Sequence, residues 1–150
     1  MKHFLIPTDC SNESERAFEV ARQLVTPLNG RISLLTVITP AQTIVADSGM
    51  GTLPISTEVG PSHDTEDVKK YHREILQQYF PSIPGESIVI ESLEATYLSV
   101  ITCAQEHCTD VIVMSTHGRS GVGRVLLGSV AESVSRNTNI PVLLVPRAAS

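Results

Sequence analysis

The chain has no tryptophan, and aromatic residues make up only 4% of its 150 positions. Flavin sites in α/β proteins are usually walled by aromatic rings, so a flavin protein is disfavoured. Cysteine is also scarce. Cys10, Cys103 and Cys108 are odd in number and include no Cys-x-x-Cys pair, which argues against a disulfide framework and suits a reducing compartment. No apolar run approaches the length of a membrane span, and residues 1–7 lack the h-region and cleavage site of a signal peptide. The expectation is a cytoplasmic protein without a membrane partner. Positive charge is thin as well: 11 Lys and Arg against 16 Asp and Glu give a net charge of −5. The basic residues are scattered and not interleaved with aromatics, so nonspecific nucleic-acid binding is excluded and any anion site has to be local.

What is present is an alternation of strand-like and helix-like segments over one domain, residues 1–150. Strands are expected at residues 3–6, 31–38, 86–91, 110–114 and 141–145, each an apolar, β-branched run of the kind a doubly covered parallel strand requires. Helices are expected after a cap at Ser11 or Asn12, with Glu15 completing a capping box and Ala17, Phe18, Ala21, Leu24, Val25 and Leu28 as one stripe, and at residues 64–80, 95–107 and 128–137. Asn29-Gly30 stops the first helix. Residues 39–62, rich in Pro, Gly, Ser and Thr, read as a long loop without regular structure. The pattern predicts an α/β fold: an open, five-stranded parallel sheet in the order 3-2-1-4-5 with helices on both faces. Such a sheet binds ligands beyond the carboxyl ends of strands one and four, where its order reverses. Those ends carry Pro7-Thr8-Asp9 and the run that begins at Ser115.

That run, Ser115-Thr116-His117-Gly118-Arg119-Ser120-Gly121-Val122-Gly123-Arg124, leads through Val125-Leu126-Leu127 to Gly128-Ser129 at a helix start. Glycines let backbone N–H groups approach an anion closely, and the helix start adds free N–H donors and a positive dipole end. Arg119 and Arg124 can neutralise further charge. The spacing is not a Walker A loop, and Gly121-x-Gly123 has Leu126 where a dinucleotide fingerprint needs its third glycine. From Met114 to Ala131 there is no Asp or Glu, so the run lacks the metal-holding carboxylates of phosphoryl transfer. His117 is a lone loop histidine, and Cys103 and His107, four apart, lack further metal ligands.

On these motifs the chain resembles the ATP-binding branch of the universal stress protein family, from Phe4 to Val145. The phrases Met114-Ser115-Thr116-His117-Gly118-Arg119-Ser120-Gly121 and Gly128-Ser129-Val130 match its G-x2-G-x9-G-S/T pattern, with Ser115 in place of the first glycine. The resemblance implies ATP, with adenine toward strands one and two near Pro7, Thr8, Asp9 and Val37. It places the phosphates between Gly118 and Ser129, with Mg2+ or Mn2+ held through them rather than by protein ligands. It also implies a homodimer through residues 141–145, an apolar strand at the sheet edge. The function expected is a nucleotide-dependent stress-response module with no catalytic residue and slow or absent hydrolysis. The alternatives are a weak ATPase or phosphotransferase, or an interaction module that does not use nucleotide.

Overall fold

The computed structural model describes residues 1–40, 43–46, 53–56, 64–116 and 127–146. Along the chain, β1 (His3–Pro7) is followed by a 3-10 turn (Asn12–Ser14) and α1 (Glu15–Val25), then β2 (Arg31–Ile38). Next come β3 (Thr43–Ala46), β4 (Leu53–Ser56), α2 (Thr65–Tyr79) and β5 (Gly85–Glu91). The rest comprises α3 (Thr96–Glu106), β6 (Val111–Ser115), α4 (Ser129–Asn137) and β7 (Val142–Val145).

Five strands form one parallel sheet in the order β5-β2-β1-β6-β7, the predicted 3-2-1-4-5 when the sheet strands alone are numbered. Alternation along β1 divides its side chains between two cores. Phe4 and Ile6 pack with Ile32, Leu34, Phe18, Ala21 and Ile75 on the α1/α2 face, while Leu5 packs with Leu35, Ile112, Val100 and Val134 on the α3/α4 face. All these side chains are buried. Because both faces are covered, the strands read in sequence as near-continuous apolar runs.

Three local expectations are corrected. The segment read as an unstructured loop contains an antiparallel pair, β3 with β4, in which Thr43 faces Ser56 and Ala46 faces Leu53. Each strand has only four residues and Pro54 interrupts the second, so neither carries a readable period. The capping box at Asn12 and Glu15 does not form. The Ser11 N–H (3.0 Å), the Ser11 hydroxyl (2.5 Å) and the Ser14 hydroxyl (3.5 Å) all converge on Asp9 Oδ1, and α1 begins only at Glu15, without a side-chain cap. The α1 stripe also ends early. Leu24 and Leu28 are 39% and 52% exposed: Leu24 lies off the buried face formed by Ala17, Phe18, Ala21 and Val25, and Leu28 follows the end of α1, where the chain turns at Asn29 (φ 46°) and the Gly30 N–H closes on the Val25 carbonyl at 3.1 Å.

Candidate functional site

Where the sheet order reverses, between β1 and β6, a cleft of about 360 Å3 opens at the carboxyl ends of the strands. Three segments build it. The end of β1 contributes Pro7, Thr8 and Asp9; the end of β6 contributes Met114, Ser115 and Thr116; the start of α4 contributes Gly128, Ser129, Val130 and Ala131. Leu35 and Val37 of β2 extend the wall toward β5.

The turn after β1 is tightly organised. Cys10 adopts a left-handed conformation (φ 61°), which costs a side-chain-bearing residue about 1 kcal/mol or more. Its N–H donates to Thr8 Oγ1 at 3.1 Å, and its thiol lies 3.7 Å from Thr36 Oγ1. The Ser11 and Ser14 bonds to Asp9 Oδ1 complete the turn and fix its carboxylate at the rim of the cleft.

Opposite Asp9, the Gly128 N–H donates to the Thr116 carbonyl, so α4 starts directly beside the end of β6. The N–H groups of Ser129, Val130 and Ala131 belong to the first turn of α4 and have no partner within the helix. They carry the positive end of the helix dipole to the cleft. One wall is therefore a cluster of anion-seeking donors, and the floor between the walls is apolar, formed by Leu35, Val37, Val100 and Met114. A polar donor wall beside an apolar floor suits a ligand with an anionic part and a flat apolar part.

Of the residues predicted from the sequence, Pro7, Thr8, Asp9, Val37, Met114, Ser115, Gly128, Ser129 and Val130 all line this cleft. His117, Gly118, Arg119 and Gly121, like Gly123 and Arg124, lie outside the described residues. Sequence reasoning missed Ser14, Leu35, Thr96, Val100 and Ala131, and named Thr116 only as part of the run that begins at Ser115. Leu35, Val100 and Ala131 look like core by periodicity and are also cleft floor. Thr96 had a usable signal, since a helix that follows β5 in a parallel sheet starts at the same carboxyl end.

A larger cavity of about 480 Å3 lies at the opposite pole, lined by Met1, Arg22, Val25, Tyr79 and Ile83 among others. The carboxyl ends of α1 and α2 border it, and their carbonyl groups disfavour an anion there. Cys103 and His107 are also at that pole. His107 Nδ1 sits 3.6 Å from Cys103 Sγ but 2.9 Å from the Cys103 carbonyl, and burial pushes the thiol up to about 11, so the ion-binding thiolate is suppressed.

The fold is shared with known proteins. Universal stress protein MJ0531 of Methanocaldococcus jannaschii is 29% identical over 147 residues, covering 97% of this chain and 82% of its own length. The solved structure of protein MJ0577 of the same organism, described as a structure-based assignment of biochemical function, superposes with a TM-score of 0.76 at 25% identity, covering 99% of this chain and 98% of that one. The universal stress protein of Archaeoglobus fulgidus, solved in complex with dAMP, shares the fold with a TM-score of 0.64 at 16% identity, over 96% of this chain and 97% of that one. With the model of the universal stress protein family matching residues 1–146, the chain belongs to that family.

Proposed function

We propose that the protein binds ATP in the β1/β6 cleft and acts as a nucleotide-dependent stress-response module. The observation that carries this reading is the convergence of the Asp9 turn, the end of β6 and the first turn of α4 on one cleft with an apolar floor. In this reading adenine lies toward β1 and β2 beside Val37, and the phosphates lie against Ser129 and Val130, with Gly118, Arg119 and Gly121 supplying the rest of the cradle. The dAMP complex of the Archaeoglobus fulgidus relative supports an adenine nucleotide as the ligand class.

Asp9 is the one carboxylate lining the cleft among the described residues. A Mg2+ or Mn2+ ion would therefore be held chiefly by phosphate oxygens. The Oδ1 of Asp9 already accepts three hydrogen bonds from Ser11 and Ser14, which suits a structural acid better than a group that activates water, so hydrolysis is slow or absent. The protein is read as a cytoplasmic homodimer whose β7 edges pair.

Calorimetry with ATP and Mg2+ on nucleotide-stripped protein, alongside mass spectrometry of co-purifying small molecules, tests the reading. Micromolar or tighter affinity supports it, and failure to find nucleotide in either assay overturns it. Gly118→Glu should abolish ATP binding with the fold intact. Turnover of about 1 s−1 or faster by contaminant-free protein would replace the regulatory reading with an enzymatic one.

A further inference from the structure

The left-handed turn that carries Asp9 is held from behind by a helix that contributes nothing to the cleft wall. His72 of α2 is completely buried, and its two ring nitrogens lie 2.9 Å from Thr36 Oγ1 and 2.7 Å from Ser87 Oγ. Thr36 donates its hydroxyl to the Thr8 carbonyl at 2.8 Å. The Thr36 oxygen is thus left to accept from His72 Nε2–H, and Nδ1 accepts from the Ser87 hydroxyl. The same Thr36 oxygen is the neighbour of Cys10 Sγ. Within the turn, the Thr8 side-chain oxygen accepts the Cys10 N–H at 3.1 Å. One buried side chain of α2 thereby reaches the Thr8 carbonyl through Thr36.

We propose that His72 is a positioning residue for the cleft: acting through Thr36, it locks residues 8–10 in the turn that presents Asp9 to the nucleotide. This inference rests on the nucleotide reading above. Its physical basis is that a left-handed cysteine relaxes to ordinary backbone unless surrounding bonds hold it. The link to α2 passes through Thr36, which bonds the Thr8 carbonyl on one side and His72 on the other.

The test uses His72→Leu and His72→Gln in the full chain with Cys108→Ser, which removes the exposed thiol. Cys103 is buried, so iodoacetamide then reports on Cys10. Two readouts are taken: the Cys10 alkylation rate and the calorimetric affinity for ATP with Mg2+. His72→Leu should speed alkylation and weaken ATP binding by roughly threefold to tenfold, the effect of losing one net hydrogen bond. His72→Gln, which keeps a donor for Thr36, should restore most of both. An unchanged alkylation rate in His72→Leu, or no rescue by a His72→Gln variant that a thermal melt shows to be folded, overturns the lock. Faster alkylation with unchanged ATP affinity overturns its role in the cleft. A parent protein that binds no ATP, while its variants alkylate faster, overturns the nucleotide reading and supports the lock.

Discussion

The backbone N–H of Gly128 donates to the carbonyl of Thr116 at 2.6 Å, which joins the start of α4 to the end of β6. This bond sets the first turn of α4 over the carboxyl ends of the strands, where its N–H groups face the Asp9 turn across the cleft. The donor wall is thus positioned by this backbone contact together with the burial of Ala131 and Val134 in the α3/α4-face core.

Gly128 itself has φ −58° and ψ 144°, a conformation open to every L-residue, and it occupies the N-cap of α4. Gly128→Asp should therefore leave the fold intact or raise its thermal midpoint, since aspartate is a favoured N-cap. Its carboxylate would claim the α4 N–H groups and repel a phosphate, lowering ATP affinity by at least about tenfold. Calorimetry beside a thermal melt separates these effects. Unchanged affinity would place the phosphates elsewhere.

Two glycines away from the cleft differ in what surrounds them. A Cβ on Gly30 would lie 2.6 Å from Val25 Cγ2 and 2.8 Å from the Lys2 carbonyl, a backbone atom that cannot yield without displacing β1. A Cβ on Gly85 would meet mainly Leu76 Cδ2, at 2.5 Å, the mobile end of a half-buried side chain. Gly30→Ala should cost about 1–3 kcal/mol in urea unfolding, and Gly85→Ala clearly less. Equal costs would mean that Lys2 and the β1 start give way as readily as a leucine rotamer.

Burial holds the pKa of His72 down at about 4, against 6.5 for a free histidine. Between these values the unfolded chain takes up a proton that the folded one refuses. The contribution to stability is complete above pH 6.5 and is lost as pH falls toward 4. His3, also buried, is shifted in the same direction, chiefly by its own burial. For His72 alone, unfolding free energy should drop by roughly 2–3 kcal/mol between pH 7.5 and 4.5. Urea titrations across this range should show that part of the slope vanish in His72→Gln. A variant that keeps the full slope would assign the loss to other groups.

The sheet order, both cores and the strand ends were legible because a doubly covered parallel sheet leaves its mark residue by residue: Phe4, Leu5 and Ile6 are apolar since each meets a core. The cleft's two rims were legible for a topological reason, as the order 3-2-1-4-5 leaves one place where Asp9 and Ser115 can face each other. What escaped was set by tertiary context. His72 reads as a polar interruption of a helical stripe, and only Thr36 and Ser87, 36 and 15 residues away, make it a buried link. Ser11 reads as a cap, but in the fold its hydroxyl, joined by that of Ser14, turns to Asp9. Such choices depend on partners that no local pattern specifies.

At the sheet edge, Ile112 N–H donates to the Pro141 carbonyl and Thr116 N–H to the Val145 carbonyl. In a parallel ladder this turns the N–H and C=O groups of Val142 and Leu144 away from β6, toward whatever lies beyond β7. A short, apolar edge with outward backbone groups is a template for pairing with a second copy. Light scattering at micromolar concentration should give twice the 16.2 kDa mass of the chain. Val142→Pro removes an outward donor without touching the ladder to β6, at a strand start where proline is tolerated. It should shift the protein to monomer and leave the unfolding midpoint of the monomer nearly unchanged. A parent that runs as monomer, or a variant that stays dimeric, would mean that copies of this chain do not pair through β7.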